Sequence, residues 1–381
     1  MRFPDDVPVL TDGVVTLRAH RASDVPGIHE QCQDPLSRQW TTVPVPYSMA
    51  DAEHFAGGIV PAGWLDDSEW TFAVEAPDDS GEPRFAGTIS LRNEGADRAE
   101  IAYGSHPWVR GRGLMLRALH LLLDWGFEER GLRTVIWWAN QGNWASRKVA
   151  WRLGFSFDGA LRQWLPKRGE LVDAWVGVLH AGAPRAPRHP WYDAPRIQGS
   201  RLVLRRHEDR DLSRVQEAGA DPYTQEQLQH FDAPFTAESA RGYLESRAER
   251  AASGEALCWT AADPVTDEAL AFLSLFHIRP GHEAEIGYFT HPDARGKGIT
   301  TEAVELVCRH AFVPEEDGGL GLSAVRLITT EANAGSRGVA EAAGFTLVGR
   351  ERRGTRMRDG SFVDAVHYDL LAEEYAGPAG Q

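Results

Sequence analysis

The run Ala99-Glu100-Ile101-Ala102-Tyr103 leads through His106-Pro107 into Arg110-Gly111-Arg112-Gly113. The chain repeats that order 185 residues later, as Ala284-Glu285-Ile286-Gly287-Tyr288, His291-Pro292 and Arg295-Gly296-Lys297-Gly298. An internal repeat of this kind constrains the fold more than any local pattern, because both copies must close around the same core. The self-similarity extends in both directions. Thr16-Leu17-Arg18-Ala19-His20 answers Val203-Leu204-Arg205-Arg206-His207. Asn143-Trp144-Ala145-Ser146-Arg147, closing at Leu153-Gly154-Phe155, answers Asn333-Ala334-Gly335-Ser336-Arg337, closing at Ala343-Gly344-Phe345. The offset there has grown to 190, the second copy having an insertion over 314–321. The chain is two copies of one domain, and 381 residues give each copy length for its own core.

Each copy reads as a mixed α/β unit of about seven strands. In the first, strands are expected over 14–18, 70–75, 85–91, the segment holding Glu100, 133–139, 155–164 and 171–179. Helices are expected from Ser23-Asp24 through Cys32, from Ser48 through Ile59, from 114 to 127, and from Asn143 to Leu153 with Gly154 closing the last. Turn-rich segments between neighbouring strands indicate a largely antiparallel sheet and not a doubly wound parallel one. The domains are placed at 8–181 and 196–375. The linker at 182–195 is stiffened by Pro184, Pro187, Pro190 and Pro195. A second hairpin turn falls at Asp359-Gly360, and 377–381 is expected to fray.

Composition narrows the function. A formal charge of −15 opposes a nucleic-acid backbone as partner and suits an amine-bearing substrate. Three cysteines (Cys32, Cys258, Cys308) have no metal-ligand spacing, so no metal is expected. No run approaches 18 apolar residues, and Met1 to Asp6 lacks an apolar leader segment. The expectation is a cytoplasmic protein without a membrane span. Eleven of 13 tryptophans lie in the first copy. Most should fill core, but Trp64, Trp70, Trp137, Trp138 and Trp144 are read as a bulkier acceptor side. Trp137 and Trp138, adjacent in one strand, must face opposite ways.

The basic glycine loop between strand and helix carries the chemistry. Gly111 and Gly113, like Gly296 and Gly298, let backbone N–H groups converge at a helix N-terminus with no Cβ in the way, which is a cradle for phosphate. A dinucleotide-binding reading fails: Met115-Leu116 stands where a third glycine is needed, and Arg133-Thr134 where the ribose-binding acid should be.

Glutamate strand, Arg-Gly-x-Gly loop, apolar helix, Asn-x-x-Ser helix and closing Gly-Phe, all in order and twice over, resemble the GNAT superfamily of N-acetyltransferases. Within it the chain is most similar to the Rim-type ribosomal-protein acetyltransferases. The resemblance implies two central parallel strands that splay apart to admit a pantetheine arm. It implies acetyl-CoA as acyl donor, with phosphates on the amides of Arg110, Gly111, Arg112, Gly113, Leu114 and Met115, and of Arg295, Gly296, Lys297, Gly298, Ile299 and Thr300. Met115 and Thr300 depart from the family's small residue at that point. The resemblance further implies direct attack by a primary amine of a peptide N-terminus or small metabolite such as an antibiotic. Glu100 and Glu285 would be general bases. Ser146 and Ser336 would serve the leaving thiolate, since the tyrosine many relatives use is replaced by Ala150 and Ala340. Asn143 and Asn333 would cap the helix and contact the coenzyme. A non-catalytic acyl-CoA-binding or scaffold protein, with one or both sites decayed, is the alternative. Tandem copies joined by a short strap are expected to pack as an intramolecular pseudo-dimer.

Overall fold

The structure is a computed structural model that describes residues 7–375; the expected leader-free start at 1–6 and the fraying tail at 377–381 lie outside the described residues. The chain divides after Arg188 into two compact units.

The first unit holds β1 (Leu10–Thr11), β2 (Thr16–Arg18), α1 (Val25–Gln33), α2 (Pro35–Trp40), α3 (Met49–His54), α4 (Val60–Leu65), β3 (Glu69–Pro77), β4 (Pro83–Gly95), β5 (Arg98–Ser105), α5 (Leu114–Glu128), β6 (Thr134–Asn140), α6 (Trp144–Arg152), β7 (Gly159–Lys167) and β8 (Glu170–His180). The second unit repeats this as β9 (Ile197–Gln198), β10 (Val203–Arg205), α7 (Leu212–Ala220), α8 (Pro222–Gln227), α9 (Ala237–Ala252), β11 (Ala256–Ala262), β12 (Ala269–Arg279), β13 (Glu283–Thr290), α10 (Ile299–Phe312), β14 (Ala324–Thr330), α11 (Ala334–Ala342), β15 (Thr346–Arg356) and β16 (Phe362–Leu371). Each unit forms one eight-stranded sheet of the same topology, β1-β2-β3-β4-β5-β6-β8-β7 and its counterpart. The eighth strand, absent from the sequence reading, is the two-residue edge strand β1 or β9, too short to show a period. Also unforeseen is the short helix α2 or α8, which begins at a proline behind an aspartate cap, Asp34 or Asp221.

All strand pairs are antiparallel except β5 with β6 and β13 with β14. Two apolar layers cover each sheet. On one face α5 presents Leu114, Ala118, Leu122 and Trp125 along one stripe, and α10 presents Ile299, Ala303, Val307 and Ala311. On the other face α1 and α3 enclose Val25, Ile28, Tyr47 and Phe85, while α7 and α9 enclose Val215, Phe231, Phe235 and Phe272.

The tryptophan reading needs correction. Trp64 and Trp70 do not stand on the acceptor side; both pack on Trp125 of the core helix α5, with ring centroids 5.9 and 5.8 Å away. Their strand and helix turn them toward the α5 layer, and Phe72 joins them there. Trp137 is 1% exposed while its neighbour Trp138 faces the other way and stacks on Trp164, as adjacent strand residues must. The segment from Ser48 to Thr71 is one residue longer than its counterpart from Thr236 to Cys258. A π turn at Phe55–Ile59 absorbs the extra residue between α3 and α4.

Candidate functional site

The two parallel strands of each unit pair only at their beginnings. β5 and β6 stay in register from Arg98↔Thr134 to Ile101↔Trp137, and β13 and β14 from Glu283↔Ala324 to Glu285↔Arg326. Beyond those points the strands continue unpaired and diverge, which leaves main-chain groups facing a wedge-shaped opening. The splay follows from what lies beyond. β5 and β13 run into the glycine loops, while β6 and β14 turn into α6 and α11 through Asn143 and Asn333.

Glu100 and Glu285 stand where the pairing ends. Glu100 is half-buried beside Arg92, whose Nη1 lies 3.3 Å from its carboxylate. Burial pushes the Glu100 carboxyl above its usual range, Arg92 pulls it back, and Glu94 and Glu69 add to the rise. Glu285 faces His277 at 3.3 Å and sits directly across the strands from Phe276.

Ser146 and Ser336 open α6 and α11. Each donates its backbone N–H to the side-chain oxygen of Asn143 or Asn333, at 3.2 and 3.0 Å. Both asparagines are therefore helix caps, as expected. The partner of each serine was not foreseen. Tyr103 of β5 brings its phenol oxygen 2.8 Å from Ser146 Oγ, and Trp137 Nε1 donates to both oxygens at 3.0 Å. Tyr288 of β13 repeats this at 3.1 Å from Ser336 Oγ, with Leu327 where Trp137 stands. Burial raises the Tyr103 phenol to about 12 and carries the Tyr288 phenol higher still, so both keep their proton at neutral pH. The signal for these tyrosines was in the repeat: each lies three residues after its glutamate. Strand alternation alone gave no reason to join them to a serine more than forty residues on.

The glycine loops leave main chain bare at the start of each helix. Gly111, Gly113, Gly296 and Gly298 take φ values of 77°, 73°, 69° and 72°, the left-handed region that favours glycine. A Cβ built at Gly111, Gly113 or Gly296 would meet nothing within 4 Å, so the space in front of the loop is open. Leu114 and Ile299 are buried and anchor the first helical turn, whose amides have no partner within the helix. The arginine side chains go elsewhere. Arg110 reaches Asp34 at 2.6 Å and Ser37 at 3.2 Å; Arg295 reaches Asp221 at 2.5 Å and Thr224 at 2.9 Å. Each therefore ties the loop to the capped start of α2 or α8 and offers the opening only its main chain. Arg112 instead lies over the Trp108 ring, and Lys297 is exposed. Thr300 turns back toward β13, its hydroxyl 2.6 Å from that of Thr290, and Met115 packs toward Gly87 of β4.

In the second unit the opening widens into a cleft of about 940 Å³ lined by Glu285, Tyr288, Asn333 and Ser336 together with Tyr243, Arg247, Arg250 and Phe276. Among the described residues no group of three or more His, Cys, Asp or Glu could hold a metal ion, and no helix is long and apolar enough to cross a membrane.

A family model described as Acetyltransferase (GNAT) domain matches residues 15–156 and again 201–346. The putative ribosomal N-acetyltransferase YdaF of Bacillus subtilis (strain 168) is 38% identical over 95 residues, which are 25% of this chain and 49% of that protein. The match thus spans about half of that relative's length. The probable N-acetyltransferase YjcK of the same organism is 31% identical over 169 residues, 42% of this chain and 89% of its own. Among solved structures, Mycobacterium smegmatis RimJ in complex with CoA-disulfide is similar over 50% of this chain and 93% of its own, at 22% identity and a TM-score of 0.43. With its model matched twice over more than half the sequence, the chain belongs to the GNAT family of acetyltransferases and carries that domain in tandem.

Proposed function

We propose that the chain is an acetyl-CoA-dependent N-acetyltransferase that acylates a primary amine by direct attack within a ternary complex. The observation that carries this reading is the twofold arrangement of a glutamate at the end of strand pairing, a tyrosine–serine pair across the splay, and a left-handed glycine loop at a helix start. When bound, acetyl-CoA supplies an acyl group activated as a thioester. The amides of the first turns of α5 and α10, with those of Gly111, Gly113, Gly296 and Gly298, would hold its phosphates. Asn143 and Asn333 keep amide N–H groups available beyond their capping oxygens.

The protein's own groups then do the proton work. An incoming ammonium must lose a proton before it can attack, and Glu100 or Glu285 takes it, directly or through water. At the other end Ser146 Oγ, backed by the phenol of Tyr103, delivers a proton to the departing sulfur, and Ser336 with Tyr288 does the same in the second unit. The serine alkoxide left behind, as the stronger base, takes the phenol's proton, and the phenolate then recovers a proton from water in the cleft. The name of one relative, the putative ribosomal N-acetyltransferase YdaF, supports a peptide N-terminus as acceptor; a small amine metabolite is the other class the site admits.

The test is release of free thiol from acetyl-CoA by the full chain against a panel of peptide and small-molecule amines, with coenzyme A affinity measured by calorimetry. Amine-dependent thiol release is expected. Coenzyme binding with no turnover on any amine would favour a non-catalytic acyl-CoA-binding protein. No coenzyme binding at all would overturn both.

A further inference from the structure

The far end of the cleft in the second unit has a charge that the chain as a whole does not. The protein carries a formal −15, yet the cleft is lined by Arg247, Arg250 and Arg295 against a single carboxylate, Glu285. Arg295 is engaged by Asp221, which leaves two arginines for the acceptor end. Tyr243, Arg247 and Arg250 stand at i, i+4 and i+7 on α9, so helix geometry puts all three on the stripe that faces the sheet.

Arg247 is the less compensated of the pair. Its guanidinium lies 4.8 Å over the Tyr243 ring, and its polar contact is a 3.5 Å approach to the Ser246 hydroxyl. Its Nε is buried with no hydrogen-bond partner, and among the described residues it pairs with no carboxylate. A buried guanidinium N–H left unmatched is costly unless something else satisfies it. Arg250 lies 5.6 Å over the Phe276 ring and, among the described residues, pairs only with the exposed Glu255, at 3.6 Å. Phe276 is the residue directly across from Glu285, so the arginine pair and the glutamate flank one aromatic surface. The positive charge also reaches its neighbours: besides burial, Arg247 holds down the pKa of both His207 and His230.

The first unit has no such pair. Counting back from β3 past the π turn, Val60 and Gly63 of α4 occupy the places of Arg247 and Arg250, and both are buried. The two acceptor ends therefore differ in kind: one is apolar on this helix, the other is built around a guanidinium in want of an anion.

We propose that the second unit acetylates a primary amine that also carries an anionic group, a carboxylate or phosphate, and that Arg247, supported by Arg250, is the specificity-determining residue that holds it. This rests on the N-acetyltransferase reading of the same cleft. It adds an anionic group to the amine-bearing substrate that the overall charge suits, because a substrate responds to the local lining and not to the net charge.

The experiment uses the full chain, with Gly113→Val to silence the first unit's loop. Acceptors are matched in pairs: alanine against alaninamide, C-terminally amidated tripeptides opening with Glu against Gln, and aminoethyl phosphate against ethanolamine. These arms separate a free amino acid, a peptide terminus and a phosphate ester as the source of the anion. The anionic member of at least one pair is expected to show the lower KM by tenfold or more. Arg247→Gln should erase that preference while leaving coenzyme A affinity and kcat on the neutral partner unchanged, and Arg247→Lys should restore part of it. Calorimetry of the same acceptors on coenzyme-loaded protein reads the anion subsite independently of turnover. Absence of thiol release on every amine would sink the transferase reading, while tighter binding of anionic amines lost in Arg247→Gln would still uphold the subsite. Equal KM and equal binding within all pairs, or an Arg247→Gln variant that keeps the preference, would overturn it.

Discussion

Glu100 and Glu285 occupy the same strand position but meet different neighbours, and that difference sets what each should do with pH. A base must be deprotonated to act, so the rate should rise as pH climbs through its pKa in the free enzyme. For Glu100 that limb is displaced upward by burial, with Arg92 opposing. Arg92→Met removes the opposing charge, and the acid limb of kcat/KM in the first unit should move up by about one pH unit. Glu100→Gln should remove the limb and lower kcat by about 10²-fold, with coenzyme A affinity untouched. A limb that stays in place in Arg92→Met would dissociate the profile from this carboxyl. The hydroxyl pairs make a sharper comparison. Ser146 keeps the Trp137 N–H when Tyr103 is lost, whereas Ser336 has Leu327 at that place and depends on Tyr288. Tyr288→Phe should therefore lower turnover in its unit by about 10²-fold, and Tyr103→Phe by clearly less. Equal losses would mean that the tryptophan N–H does not hold the serine in position.

At the level of elements, the glycine loops were readable and their supports were not. Gly-x-Gly before an apolar helix states its own conformation, because only glycine takes that φ without strain. Gly113→Val should weaken coenzyme A binding by the first unit by about 10²-fold, since the new side chain fills open space where phosphate would lie and strains the left-handed turn by about 1–2 kcal/mol. Its melting temperature should fall by only a few degrees, because no protein atom lies within 4 Å of the added Cβ. Calorimetry with coenzyme A beside a thermal melt checks both. The clamp beneath each loop, Arg110 on Asp34 or Arg295 on Asp221, joins residues 76 or 74 apart in sequence, a separation no local pattern encodes. The same limit hid the tyrosine–serine pairs. Strand alternation divides Trp137 from Trp138 correctly but does not say which layer a face meets, so Trp64 and Trp70 read as acceptor residues in the sequence and belong to the core in the fold. Tyr243, Arg247 and Arg250 share one face of α9, but the helix expected at this place in the first copy ends at Ile59, before the counterpart of Arg250, and that the face lines a cleft follows only from how α9 lies on the sheet.

Across the whole molecule the duplication has preserved a buried pair whose chemistry predicts how each unit fails in acid. Arg18 and Arg205 are held by Asp24 and Asp211, and beside them lie His20 and His207. Burial drives both imidazoles down to about 4, outweighing the nearby aspartates, and Arg18 and Arg205 add to the effect. Each ring has one nitrogen against a threonine hydroxyl, Thr88 or Thr260, and its other nitrogen buried with no partner. A proton added there would have nothing to donate to. In the unfolded chain the same histidines titrate near the ordinary 6.5. Between about 6.5 and about 4 each of these two histidines thus adds up to one proton to the unfolded state's excess over the folded state, on top of what the less strongly shifted His106, His120, His230 and His310 add. Stability must fall as pH falls through that window, with a slope approaching about 1.4 kcal/mol per pH unit for each histidine. The paired aspartates, whose carboxyls are held below their usual range by the arginines despite burial, contribute their own loss only below that window. Urea unfolding at pH 7.5, 6, 5 and 4.5 should show the decline starting well above the carboxylate range. His20→Gln with His207→Gln, which can keep a bond to the threonine without titrating, should flatten it between pH 6.5 and 5. A double variant as acid-sensitive as the wild type would mean that these two imidazoles already take up protons in the folded state, and that the acid limit of the molecule lies in its other groups.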